Sequence, residues 1–191
     1  MNLTSRVARR AGGGLALAAI AVLLPVTALA APAAPSAPAA AGHRAVAAAP
    51  PACTSGHTRV WIGLPGDGTA GTTFYQLQFS NIGPAPCTLF GFPGVSAIRA
   101  NGHQAGLGAG RTGTPRLVTL IPGATAHAVL GVTDAGAICA HPVRTVNLRV
   151  FPPGQRRAQF VPLALDACLG HRVLRVRAVH PGTGIPGFTI R

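Results

Sequence analysis

Two of the four cysteines have a histidine close by. Cys139-Ala140-His141 and Cys168-Leu169-Gly170-His171 would bring two imidazoles towards each other if Cys139 and Cys168 were bridged. Neutral imidazoles suit copper or zinc, so His141 and His171 are the candidate metal ligands. Two ligands make an incomplete site. The only Met is the initiator, which removes thioether donors for a copper shuttle. A zinc site built on the cysteines has no Cys-x-x-Cys spacing behind it. No resident cofactor is expected.

Catalytic chemistry has little to work with. The acids are Asp67, Asp134 and Asp166, and there is no Glu. EF-hand-type calcium loops need more acidic ligands than that. Two-carboxylate glycosidase chemistry would need two of the three aspartates to converge. Ser36, Ser55, Ser80 and Ser96 lie outside any Gly-x-Ser-x-Gly context. A Walker-type phosphate loop is excluded because the chain contains no Lys. Gly106-x-Gly108-x-Gly110 has no strand–loop–helix setting and reads as a loop. No catalytic residue is assigned, and the expectation is a non-enzyme.

The positive charge is the dominant feature. All 16 basic residues are Arg, against 3 acids, for a net +13. Eight of them lie between Arg144 and the carboxyl end, offset only by Asp166. Arg149 points outward from one expected strand, and Arg175 and Arg177 from another. If those strands are neighbours in a sheet, the three form one positive face. Arg contacts phosphate and carboxylate in bidentate fashion, so these three are the candidate anion-binding residues. Nucleic acid is not the expected partner, because no aromatic stripe interleaves the arginines.

The elements that hold these groups follow from patterning. Arg6, Arg9 and Arg10, the apolar run Leu15–Ala30 and the small-x-small Ala28-Leu29-Ala30 make residues 1–30 a secretory signal peptide. The run is shorter than the roughly 20 residues that span a bilayer, so no transmembrane segment is expected in the mature form. Residues 31–51 are nearly all Ala and Pro, which blocks helix and predicts a disordered tether. A single domain is expected over 52–182, followed by a tail over 183–191.

Within that domain, apolar and polar residues alternate. Tyr75, Leu77 and Phe79 alternate with Gln76, Gln78 and Ser80. Val146, Leu148 and Val150 alternate with Thr145, Asn147 and Arg149. Leu174, Val176 and Ala178 alternate with Val173, Arg175 and Arg177. Period two marks strands with one buried and one exposed face. Further strands are expected around Val60–Leu64, Val95–Ile98, Leu117–Ile121, Ala126–Thr133 and Ala158–Leu163. Asn81-Ile82-Gly83-Pro84, Asn101-Gly102, Pro122-Gly123, Asp134-Ala135-Gly136 and Pro152-Pro153-Gly154 supply turns. About seven to nine short strands predict an all-β, antiparallel, immunoglobulin-like β-sandwich, with a closed barrel as the alternative. The aromatics fill the core. A carbohydrate platform would need Trp61 and Tyr75 on one exposed face.

Cys53, Cys87, Cys139 and Cys168 read as two disulfides in an exported chain. Three connectivities are open. The pairing of sequence neighbours, Cys53–Cys87 and Cys139–Cys168, is the expected one.

One stretch also carries a family likeness. Thr73-Phe-Tyr-Gln-Leu-Gln-Phe-Ser-Asn81 is followed by Pro86-Cys-Thr-Leu-Phe-Gly-Phe-Pro-Gly-Val95. Leu120-Ile-Pro-Gly123, Val132-Thr-Asp-Ala-Gly136 and Val150-Phe-Pro-Pro-Gly-Gln155 come later. Together these resemble the domain-of-unknown-function family numbered 4232, found in secreted and lipoprotein-type actinobacterial proteins. The likeness spans roughly residues 53–180. It implies an exported β-sandwich with paired cysteines and transfers no catalytic residue.

The expected function is a non-catalytic binding or structural module, secreted or in the cell envelope. Its partner would be an anionic envelope polymer or another protein. The alternative is an exported small-molecule or metal-binding protein that uses His141 and His171.

Overall fold

Alternation becomes burial in the strands that build the core. Leu77 and Phe79 are 0% exposed, Leu174 and Val176 are 1% exposed, and Arg175 and Arg177 between and beside the latter pair face solvent. The computed structural model describes residues 48–185, without the side chains of 64–67. The signal peptide, most of the Ala/Pro tether and the end of the expected tail lie outside the described residues.

Among the described residues twelve strands run in chain order. They are β1 (Thr58–Thr69), β2 (Thr72–Asn81), β3 (Cys87–Phe90), β4 (Gly94–Ile98), β5 (Gln104–Ala105) and β6 (Gly110–Thr112), then β7 (Leu117–Leu120), β8 (Thr125–Thr133), β9 (Val143–Phe151), β10 (Gln159–Ala167), β11 (Leu174–Arg177) and β12 (His180–Pro181). Among the described residues the one helical element is a 3-10 turn, Ala135–Ala137. The strands beyond the expected seven to nine are short: β3, β5, β6 and β12 have two to four residues each. Such lengths leave no alternation to detect.

The architecture is the expected all-β sandwich. One sheet has the order β1-β2-β8-β11-β6, with β12 also paired to β8; the other has the order β10-β9-β4-β5. A two-stranded ribbon of β3 and β7 accompanies them. The ladders are antiparallel except for β6 with β11. Leu77, Phe79, Leu130 and Leu174 from the larger sheet and Leu148 and Val150 from the smaller belong to one buried cluster. Each such side chain contributes about 1.5–3 kcal/mol by leaving water. The barrel alternative is not adopted. Edge strands β1 and β10 adjoin without a ladder, and a side-chain amide bridges them: Gln159 Oε1 accepts from Val60 N–H at 2.9 Å, and Gln159 Nε2 donates to the Thr58 carbonyl at 2.6 Å.

Two departures from strict alternation have local causes. Thr145 is 0% exposed and Val146 is 39% exposed, the reverse of the expected phase. The β9–β10 register shifts between Pro162 and Leu165, and Thr145 donates its hydroxyl to the Leu165 carbonyl at 2.9 Å. Gln78, expected on the solvent face, is wholly buried. The chain after β12 passes over it, and Gln78 Nε2 donates to the Thr183 carbonyl at 2.7 Å.

Both expected disulfides are present, Cys53–Cys87 and Cys139–Cys168. The first ties the segment before β1 to β3. The second ties the end of the 3-10 turn to the residue after β10. The Asn81 turn organises the same end of the sandwich as the first bridge. Asn81 Nδ2 donates to the carbonyls of Ala85 and Leu120 at 2.9 and 3.0 Å, and its Oδ1 accepts from Gly83 N–H at 2.9 Å.

Candidate anion-binding groove

The outer face of the larger sheet carries a row of unlike residues. Phe74 of β2 pairs with Gly131 of β8, and Gly131 pairs with Arg175 of β11. Glycine leaves the middle of the row bare. A Cβ added there would stand 3.2 Å from Phe74 Cε1, so the ring leans over that gap. Arg177 points the same way as Arg175, two residues on, hence about 6–7 Å along the strand. Together with Val129 and the threonines 72, 112 and 133, these residues line a cavity of about 390 Å³. That volume falls within the range of small-ligand pockets.

The chemistry of the groove is uneven. Its floor is apolar, its rim carries hydroxyls, and one wall holds two guanidinium groups, with no acid among the described lining side chains. A carboxylate or phosphate would find donors there and an apolar surface beside them.

Arg149 is not part of this groove. The condition that β9 and β11 be sheet neighbours fails, because they belong to different sheets. Arg149 instead donates from Nη2 to Gln104 Oε1 at 2.7 Å, and its guanidinium lies 5.9 Å from the Phe151 ring centre. The structure therefore unites two of the three candidate arginines and separates the third.

His141 and His171 are exposed on the loops flanking the Cys139–Cys168 bridge. The backbone of His171 is engaged, donating to Cys168 and accepting from Leu107. Among the described residues no group of three His, Cys, Asp or Glu side chains is placed to hold a metal ion.

Asp134 and Asp166 line a cleft of about 530 Å³ that shares Thr72 and Thr133 with the groove. Each already has a partner. Asp134 Oδ1 accepts from Gly136 N–H at 3.0 Å, and Asp166 Oδ1 meets Arg144 Nη1 at 3.3 Å. Trp61 and Tyr75 fall on opposite faces of the larger sheet. Trp61 pairs with outward Gln78, while Tyr75 packs against the core.

Not all the aromatics fill the core as expected: Phe74, Phe90 and Phe160 are 40%, 59% and 61% exposed, and Gly131 carries no signal in the sequence. An aromatic in phase with Gln76 and Gln78 is the signal that could have found Phe74. Gly131 becomes meaningful only once the register is known.

The family model described as Domain of unknown function (DUF4232) matches residues 53–180. No curated protein and no solved structure matches the chain.

Proposed function

The chain belongs to this family of domains of unknown function, and on that premise we propose that it is an exported, non-catalytic module that binds an anionic partner of the cell envelope. The observation that carries the reading is the convergence of Arg175 and Arg177 in one groove beside Phe74. The surplus of Arg over Asp supports it by raising the local concentration of anionic ligands. Two disulfides fit an oxidising compartment. The basic and apolar start of the sequence fits export. Among the described residues no helix is long and apolar enough to cross a membrane.

The test is retention on purified bacterial cell wall across a salt titration. The wild-type chain is expected to bind at low salt and to elute as salt rises, because exposed charges are screened beyond about 10 Å at 0.1 M. Arg175→Gln/Arg177→Gln should weaken retention about tenfold or more. Arg149→Gln, on the opposite sheet, should weaken it much less. Equal losses from all three substitutions would leave only a diffuse charge effect, and no retention at low salt would reject the reading.

A further inference from the structure

Beside the groove, four groups able to carry positive charge come from three parts of the chain. β12 pairs His180 with His127 of β8. Their rings stack with centroids 5.9 Å apart and planes 30° from parallel. Arg177 is the preceding outward residue on the same segment. Arg116 stands immediately before β7, which lies next to β12. Arg116, His127 and Arg177 all act electrostatically on His180, and among the described residues no acid does. His127 is held in place: its Nδ1 lies 2.9 Å from the Gly182 carbonyl. A carbonyl only accepts, so Nδ1 bears the hydrogen in this contact.

We propose that Arg116, His127, Arg177 and His180 form a proton-linked site for a tetrahedral oxyanion, of the phosphate-ester or sulfate-ester type. Like charges facing His180 oppose its protonation. A tetrahedral anion reverses that balance, because it offers oxygens to two guanidinium groups and to imidazolium N–H donors at once. A planar carboxylate has only two oxygens and would leave part of the cluster unmatched. His180 accordingly sits below the ordinary histidine value of 6.5, through burial first and then through Arg116, His127 and Arg177. By linkage, bound anion raises its affinity for the proton, and anion affinity rises as pH falls. The site is separate from the groove reading, since Arg175 and Phe74 take no part in it. It meets the groove only at Arg177.

The test follows the imidazole C–H resonances of the full chain by NMR from pH 8 to 5. Inorganic sulfate is the probe because its charge is constant over that range, and sodium chloride holds ionic strength equal. In chloride, the His180 midpoint is expected below 6.5. Saturating sulfate should move it up by about one pH unit, a tenfold preference for the protonated form. Arg175→Gln should keep that movement and Arg116→Gln/Arg177→Gln should lose it, which separates failure of this site from failure of the groove. A His180 midpoint indifferent to sulfate in the wild-type chain would overturn the proposal. So would an equal movement of His141 and His171, which marks general screening. Soluble glycerol phosphate and phosphatidylglycerol vesicles then serve as carriers, and the one that reproduces the shift identifies the source of the phosphate.

Discussion

Gln159 uses its side-chain amide as a one-residue strand: its Oε1 takes the Val60 N–H at 2.9 Å, while its Nε2 supplies the Thr58 carbonyl. The seam between β1 and β10 is therefore closed by a carboxamide where a ladder is missing. Gln159→Glu keeps the acceptor and removes the donor, leaving the Thr58 carbonyl without this partner. A loss of about 1–3 kcal/mol is expected, read by urea denaturation at neutral pH. Gln159→Met, which keeps the length and removes both bonds, should cost a similar amount. No change in either variant would mean that the seam holds by apolar contact alone.

Asn81 is buried to 1% exposure and satisfies two carbonyls and one N–H across its turn. Asn81→Asp is nearly isosteric but turns a donor into an acceptor facing the Ala85 and Leu120 carbonyls. The expected loss is about 3 kcal/mol or more, because a charge is stranded among acceptors. Thermal melts at pH 7 and pH 4 check the cause: the deficit should shrink at the lower pH, where protonation restores one donor.

The disulfides close loops of similar length, with sequence separations of 34 and 29 residues. Loop entropy then assigns them nearly equal stabilisation, about 3–4 kcal/mol each. Cys53→Ser/Cys87→Ser and Cys139→Ser/Cys168→Ser should lower the urea midpoint by comparable amounts. A difference larger than about 2 kcal/mol would show that one bridge acts mainly on the folded state.

Acid should weaken the fold through His180. Its folded value lies below 6.5, so the unfolded chain takes up the proton first. The associated stability is present above about pH 6.5 and is lost as pH falls through the folded value. Melting temperatures at pH 7.5, 6.5 and 5.5 in chloride should decline. His180→Gln should remove this part of the decline, and an unaltered slope in that variant would assign acid sensitivity elsewhere.

The core face of β2, of the second half of β9 and of β11 was legible from the sequence. Leu77 and Phe79, Leu148 and Val150, and Leu174 and Val176 point inward as period two requires. Local pattern also exposed Arg175 and Arg177. It could not say which strands would be neighbours, so it grouped Arg149 with them across two sheets. Register is a long-range property, and here it depends on residues some 60 positions apart, such as Phe74 and Gly131. The burial of Gln78 was equally hidden, because its cover comes from Thr183. His127 looked like an ordinary strand residue until His180 was laid against it.

The parallel pairing of β6 with β11 joins residues 110–112 to 175–177, and β8 meets β11 and β12 only through the last part of the described chain. A polypeptide that emerges amino end first can complete the β2–β8 ladder once residue 133 is available, yet must wait for residues 174–181 before the other side of β8 is covered. During that interval β8 presents a bare, apolar strand edge, the usual template for pairing with another molecule. Assembly of the wall that carries Arg175 and Arg177 is thus also the step that ends the nascent chain's exposure to aggregation.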